Sequence, residues 1–133
     1  MEQHWKFMKK EDLMFEKVLG RGHHWHYHPA LAQQGDCFMV KVIIKPGEGH
    51  NFHKHPEMNE ILYVLKGQVE QWVEDDMQLL NTGESVYIMA NVVHASFNDG
   101  TEDLELLAIL SPQEGWQAGT VDVFQELPYS NYR

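Results

Sequence analysis

Cysteine occurs once in the 133-residue sequence, at Cys37, and a lone thiol excludes an internal disulfide framework. It lies in the strand-like run DCFMVKVIIK, where the expectation is a buried thiol in a reducing cytoplasm. Positive charge is scarce too: ten Lys and Arg stand against twenty Asp and Glu, a formal net charge of -10. No basic patch offers an electrostatic footprint for a phosphate backbone or an anionic membrane surface, so neither nucleic acid nor membrane is an expected partner. No stretch approaches the ~18 consecutive apolar residues of a membrane span. The first residues, MEQHWKFMKKEDLMFEKV, lack the apolar core and small-residue cleavage site of an export signal, which again points to the cytoplasm. A GxSxG nucleophile elbow is missing, and no glycine-rich turn with a lysine opens a helix. These absences argue against a serine hydrolase and a P-loop.

What the sequence does contain is a series of short β-rich runs from about residue 36 onward. CFMVKVIIK, EILYVLKG, VEQWVEDD, MQLLNTG, ESVYIMA, NVVHASF and LELLAILS are separated by breaks that carry Gly, Asn or Asp. That spacing predicts an all-β sandwich or barrel rather than strand-helix units. In VEQWVEDD, Val69 and Val73 share parity with Gln71, opposite Glu70, Trp72 and Glu74, so alternation does not decide which face is buried. Glu11 to Leu19 reads as either helix or strand, and the tail after Ser111 holds one β-like run, TVDVF. The expected organisation is one domain: an N-terminal arm (1–35), a barrel (36–111) and a C-terminal extension (112–133).

Metal-capable side chains concentrate in GEGHNFHKHPEMNEILYVLKG, residues 47–67. His53 and His55 are two apart, so on an extended strand both imidazoles point to one face, close enough to share an ion. Pro56 ends the strand and Glu60 opens the next apolar run, where its carboxylate can return toward the pair. A carboxylate at that position is costly to bury unpaired, and an ion is one partner that compensates it. A fourth candidate is His94, in the β-branched run MANVVHASFN.

These residues resemble the two motifs of the cupin family. Gly47, His53, His55, Glu60 and Gly67 fit G(X)5HXH(X)4E(X)6G, and Gly83, His94 and Asn98 fit G(X)5PXG(X)2H(X)3N. Met89 stands where the second motif has proline and Asn91 where it has glycine; Asn tolerates a positive φ better than most residues, so the turn survives. The resemblance implies a double-stranded β-helix (jelly-roll) barrel with His53, His55, Glu60 and His94 as ligands of a divalent transition metal. Imidazole with carboxylate suits Fe, Mn, Ni, Zn or Co, and the donor set does not choose among them. Small single-domain cupins of the quercetin-dioxygenase-like type further imply a dioxygenase acting on a small molecule, and a homodimer. A non-redox isomerase or lyase, or a module that binds a sugar, carboxylate or aromatic compound, is the alternative.

Beyond the ligands, the candidate catalytic groups are His50, which is either an acid-base group at the barrel mouth or a solvated loop residue, and Tyr63 and Tyr87, beside the ligand-bearing runs. The segment RGHHWHYHP, residues 21–29, alternates His24, His26 and His28 opposite His23, Trp25 and Tyr27. Extended, it presents three imidazoles on one side, as a second metal site, a cover for the barrel, or a surface arm against a dimer partner.

Overall fold

Alternation of apolar residues decides most of the architecture. The computed structural model describes residues 5–28 and 36–133. Among them run β1 Met14–Val18, β2 Arg21–Tyr27, β3 Phe38–Ile44, β4 Gly49–Lys54, β5 Asn59–Lys66 and β6 Gln68–Val73. There follow β7 Asp76–Asn81, β8 Ser85–Ile88, β9 His94–Phe97, β10 Leu104–Ser111 and β11 Val121–Asp122. The described helical segments are short 3-10 turns at Lys10–Asp12, Gln113–Ala118 and Tyr129–Asn131, and none is long and apolar enough to cross a membrane. Residues 1–4 and 29–35 of the expected arm lie outside the described residues.

Two antiparallel sheets face each other in a double-stranded β-helix jelly roll. One has the order β1-β2-β3-β10-β5-β8, the other β11-β4-β9-β6-β7. In β3 and β10 every second residue is buried, with Phe38, Val40, Val42 and Ile44 beside Leu104, Leu106, Ala108 and Leu110. This row and Leu62, Val64, Val69 and Met58 form the core between the sheets. A second apolar cluster lies on the other face of the five-stranded sheet, where Phe52, Val93, Ala95, Phe97 and Val123 are covered by Trp72, Phe124, Tyr129 and Tyr132. The C-terminal segment is therefore a layer over the smaller sheet, tied down by Arg133, which donates to Glu70 and Asp99 and lies over the Phe97 ring.

That layer explains the ambiguity of VEQWVEDD. Val69 and Gln71 face the interior at 1% and 3% exposure, while Trp72 on the opposite face stacks on Tyr132 with ring centroids 5.5 Å apart. Glu11 to Leu19 divides into the Lys10–Asp12 turn and β1. The N-terminal segment adds β1 and β2 to the larger sheet, β2 pairing antiparallel with β3 of the same chain. Cys37, just ahead of β3, is half-buried rather than fully buried.

Candidate metal centre and cavity

Sheet register brings the histidines together. His53 on β4 lies directly opposite His94 on β9, and His55 follows just past the end of β4. Glu60 comes from the facing sheet, at the first inward position of β5, sharing parity with the buried Leu62 and Val64. All four side chains are buried, and one ligand atom from each lies within 4.8 Å of the others. His94 Nε2 is 2.8 Å from Glu60 Oε1 and His55 Nε2 is 3.5 Å from it.

The other ring nitrogen of each histidine is anchored. His53 Nδ1 donates to the Asn51 carbonyl at 2.6 Å and His94 Nδ1 to the Val92 carbonyl at 3.0 Å. Thr120 Oγ1 is hydrogen-bonded to His55 Nδ1 at 3.1 Å. A carbonyl accepts only from N–H, so His53 and His94 each carry a proton on Nδ1, which leaves Nε2 as the atom each can offer an ion; His55 Nε2 and His94 Nε2 lie against Glu60 Oε1. Burial first, then the charges of His50 and His94, hold His53 well below the ordinary imidazole pKa, so it is a neutral donor. Burial alone would raise the Glu60 pKa, but hydrogen bonds with His55 and His94 outweigh it and hold the carboxylate ionised. For His94 burial is likewise outweighed, and Glu60 raises its pKa. Three imidazole nitrogens and one carboxylate oxygen, buried and oriented by outer partners, fit a divalent transition metal.

The cluster opens on a cavity of about 240 Å³ between the sheets. His50 lines it, stacked on His53 with centroids 3.4 Å apart and planes 7° from parallel. In a regular strand residues three apart point to opposite faces, but β4 is irregular against β9 between His50 and His53, which turns both rings inward. Burial, followed by the charges of Arg21 and His94, holds His50 well below its ordinary pKa. Tyr63 and Tyr87 are on the outer face, 41% and 60% exposed, and neither lines the cavity. The cause is parity, since Tyr63 lies between the inward Leu62 and Val64.

The N-terminal histidines also separate differently from the alternation expected of them. Arg21, His23 and Trp25 line the cavity, with Glu16 of β1 accepting from His23 at 3.2 Å. His24 lies against Phe15, which is 62% exposed. A shift in the β2–β3 register between Trp25 and Tyr27 ends the alternation, so the His28 ring packs on Trp25, Phe38 and Trp116 instead of continuing the row of His24 and His26. Arg21, His23, Trp116 and Thr120 are thus site residues that sequence reasoning missed. The parity of β2 was the available signal for the first two, once its inward face was known.

The chain is 33% identical over 78 residues to mannose-1-phosphate guanylyltransferase of Escherichia coli K12, a match covering 58% of this chain and 16% of that protein. It spans about a sixth of the length of the curated relatives it matches. Among solved structures, KdgF from Halomonas sp. superposes with TM-score 0.70 at 20% identity, covering 81% of this chain and 94% of that one. An oxalate oxidase superposes with TM-score 0.68 at 22% identity, covering 80% of this chain and 57% of that one. At such identities these likenesses establish the fold. The family model described as a cupin domain matches residues 40–110, the stretch that carries β3 to β10 and all four candidate ligands, and the chain belongs to that family.

Proposed function

We propose that this cupin is a metal-dependent enzyme acting on a small molecule, a dioxygenase-type oxidoreductase of the quercetin-dioxygenase-like kind, with His53, His55, Glu60 and His94 holding the ion. The anchored rings carry this reading: partners on all three Nδ1 atoms leave three Nε2 donors beside one buried carboxylate. A structural His94–Glu60 pair alone gives no reason to orient His53 and His55 in the same way. When bound, Fe, Mn, Ni or Co supplies an open coordination position with redox capacity, and Zn supplies Lewis acidity. The chain contributes the surroundings. Val40, Val42, Leu62 and Leu106 wall the cavity with apolar surface, and neutral His50, stacked on His53, is placed to accept a proton from a ligand there. The likeness to an oxalate oxidase supports oxygen-dependent chemistry on a small molecule. The second reading, a non-redox isomerase or lyase or a binding module, draws on the same neutral His50, since a base beside a Lewis acid needs no oxidant. The proposal extends to a homodimer in the cytoplasm, the latter on the unpaired thiol of Cys37.

The test is metal content by plasma mass spectrometry on untagged protein purified without a metal column, because the His23 to His28 segment would itself retain the chain. Near-stoichiometric Fe, Mn, Ni or Co, lost in the His53→Ala, His94→Ala double variant, is expected, with dioxygen uptake on enolic or catecholic compounds. Zn without oxygen uptake selects the second reading. A wild type that takes up no metal after reconstitution overturns both metal-dependent readings.

A further inference from the structure

The cavity holds a cation that the metal centre does not use. Arg21 is on the inward face of β2, outside the stretch matched by the family model. Its Nε is buried and makes no hydrogen bond. One terminal nitrogen donates to the Leu19 carbonyl at 2.8 Å, and none of the ion pairs among the described residues includes Arg21. Burial lowers its pKa, opposed by the charges of Asp122, Glu16 and Glu60, yet a guanidinium stays protonated in proteins. A half-buried guanidinium whose Nε–H is buried without a partner is a condition that a ligand oxyanion relieves.

Its position adds a second argument. Arg21, His50, Val18 and Thr120 line the inner cavity and also an outer pocket of about 460 Å³. The two pockets adjoin at these four residues, so the guanidinium borders both the cavity with the histidines and the outer pocket. We infer that Arg21 receives the carboxylate of a small carboxylic acid, whose other end reaches the His53, His55, Glu60 and His94 centre. The reach to the centre rests on the metal reading above; the carboxylate contact does not. Arg21 is the only Lys or Arg lining the inner cavity among the described residues, and Glu16 and Glu60 line it as well. A phosphate dianion would meet one cation against two carboxylates, whereas a carboxylate matches the single fork in charge and plane. The inner volume, about 240 Å³, is above the ~150 Å³ that takes up benzene, so it admits a carboxylic acid up to roughly the size of a single ring.

Lactate and its uncharged isostere lactamide separate the possibilities, titrated by calorimetry into metal-free and Mn-loaded full-length protein, with inorganic phosphate as a third probe. Wild type is expected to bind lactate about tenfold or more tightly than lactamide or phosphate, in both metal states. Arg21→Gln is expected to lose that preference while leaving lactamide unchanged, and Arg21→Lys to recover only part of it because the fork is gone. The comparison within wild type requires no variant to fold. No lactate binding, equal binding of lactate and lactamide, tighter phosphate binding, or a lactate preference that survives in a folded Arg21→Gln protein overturns the inference. A preference for lactate in a protein that takes up no metal leaves Arg21 standing and removes the metal reading. Metal uptake without the preference does the reverse.

Discussion

Thr120 shows how a residue outside both motifs enters the metal centre. It is exposed and distant in sequence, yet among the described residues its hydroxyl is the one hydrogen-bond partner of His55 Nδ1, while His53 and His94 are held by carbonyls of their own strand segments. Loss of such an outer partner characteristically lowers metal affinity by about 10–100-fold. Thr120→Val keeps the shape and removes the hydrogen bond, so competition against a chelator is expected to show weakening in that range with an unchanged melting temperature. Thr120→Ser is expected to restore the affinity. Equal affinities of wild type and Thr120→Val would mean that the ring is held by packing alone. Three of the four candidate ligands were legible from short-range spacing, His53 and His55 two apart and Glu60 at the head of the next apolar run, whereas His94 was legible only through the spacing of the second motif. Arg21 and His50 were not, for different reasons. Arg21 needs the β2–β3 pairing to show which face of β2 is inward, and the inward turn of His50 depends on an irregularity that no alternation pattern announces.

At the scale of the element, β6 illustrates why periodicity fails when both faces of a strand are covered. Alternation marks burial only where one face is wet, and the five-stranded sheet has the barrel interior on one side and the C-terminal layer on the other. Ser96 donates to Gln71 at 2.7 Å within the interior, so even a polar residue is buried there, whereas Trp72 and Glu70 on the other face meet Tyr132 and Arg133. β5 was readable as a strand from residue type, but its inward face was not, because Ile61, Tyr63 and Leu65 on the outer side are as apolar as Leu62 and Val64 on the inner one. Asn91 belongs with the readable features: its φ of 68° is the positive value that Asn accepts where the motif has glycine. The C-terminal layer can be tested apart from the site. Tyr132→Ala removes the ring stacked on Trp72 and packed near Phe52, and a half-buried aromatic lost without repacking is expected to cost roughly 1–2 kcal/mol. Chemical denaturation measures that loss, with metal content expected to remain at the wild-type level because the ligands are on the opposite face. Metal lost together with stability would show that the layer also supports the geometry of β4 and β9.

For the whole molecule, the remaining question is what covers the outside of the larger sheet. The N-terminal segment, read as an arm that wraps the barrel or a second subunit, pairs β2 on β3 within its own chain and leaves β1 as a sheet edge. For the homodimer proposed above the outer face of β5 offers a surface. Ile61, Tyr63 and Leu65 are 41%, 41% and 40% exposed. Tyr87 on the edge strand β8 lies opposite Ile61, and Ile109 and Leu107 on β10 lie opposite Ile61 and Tyr63. Contiguous cross-strand apolar residues on a soluble sheet mark an association surface, and a two-fold axis allows the same patch to cover itself. The placement that removes Tyr63 and Tyr87 from the cavity puts them on the patch that the proposed dimer would bury. Light scattering at micromolar concentration is expected to give twice the 15.5 kDa chain mass for wild type and the single-chain mass for an Ile61→Asp, Tyr63→Asp variant, because two like charges on a self-complementary patch appear four times in the dimer and repel one another there. The variant is expected to retain its metal, since both substitutions point away from the ligands. A wild type with the mass of one chain removes the dimer, and a variant that stays dimeric moves the interface to another face, with the edges at β1 and β7 the next to examine.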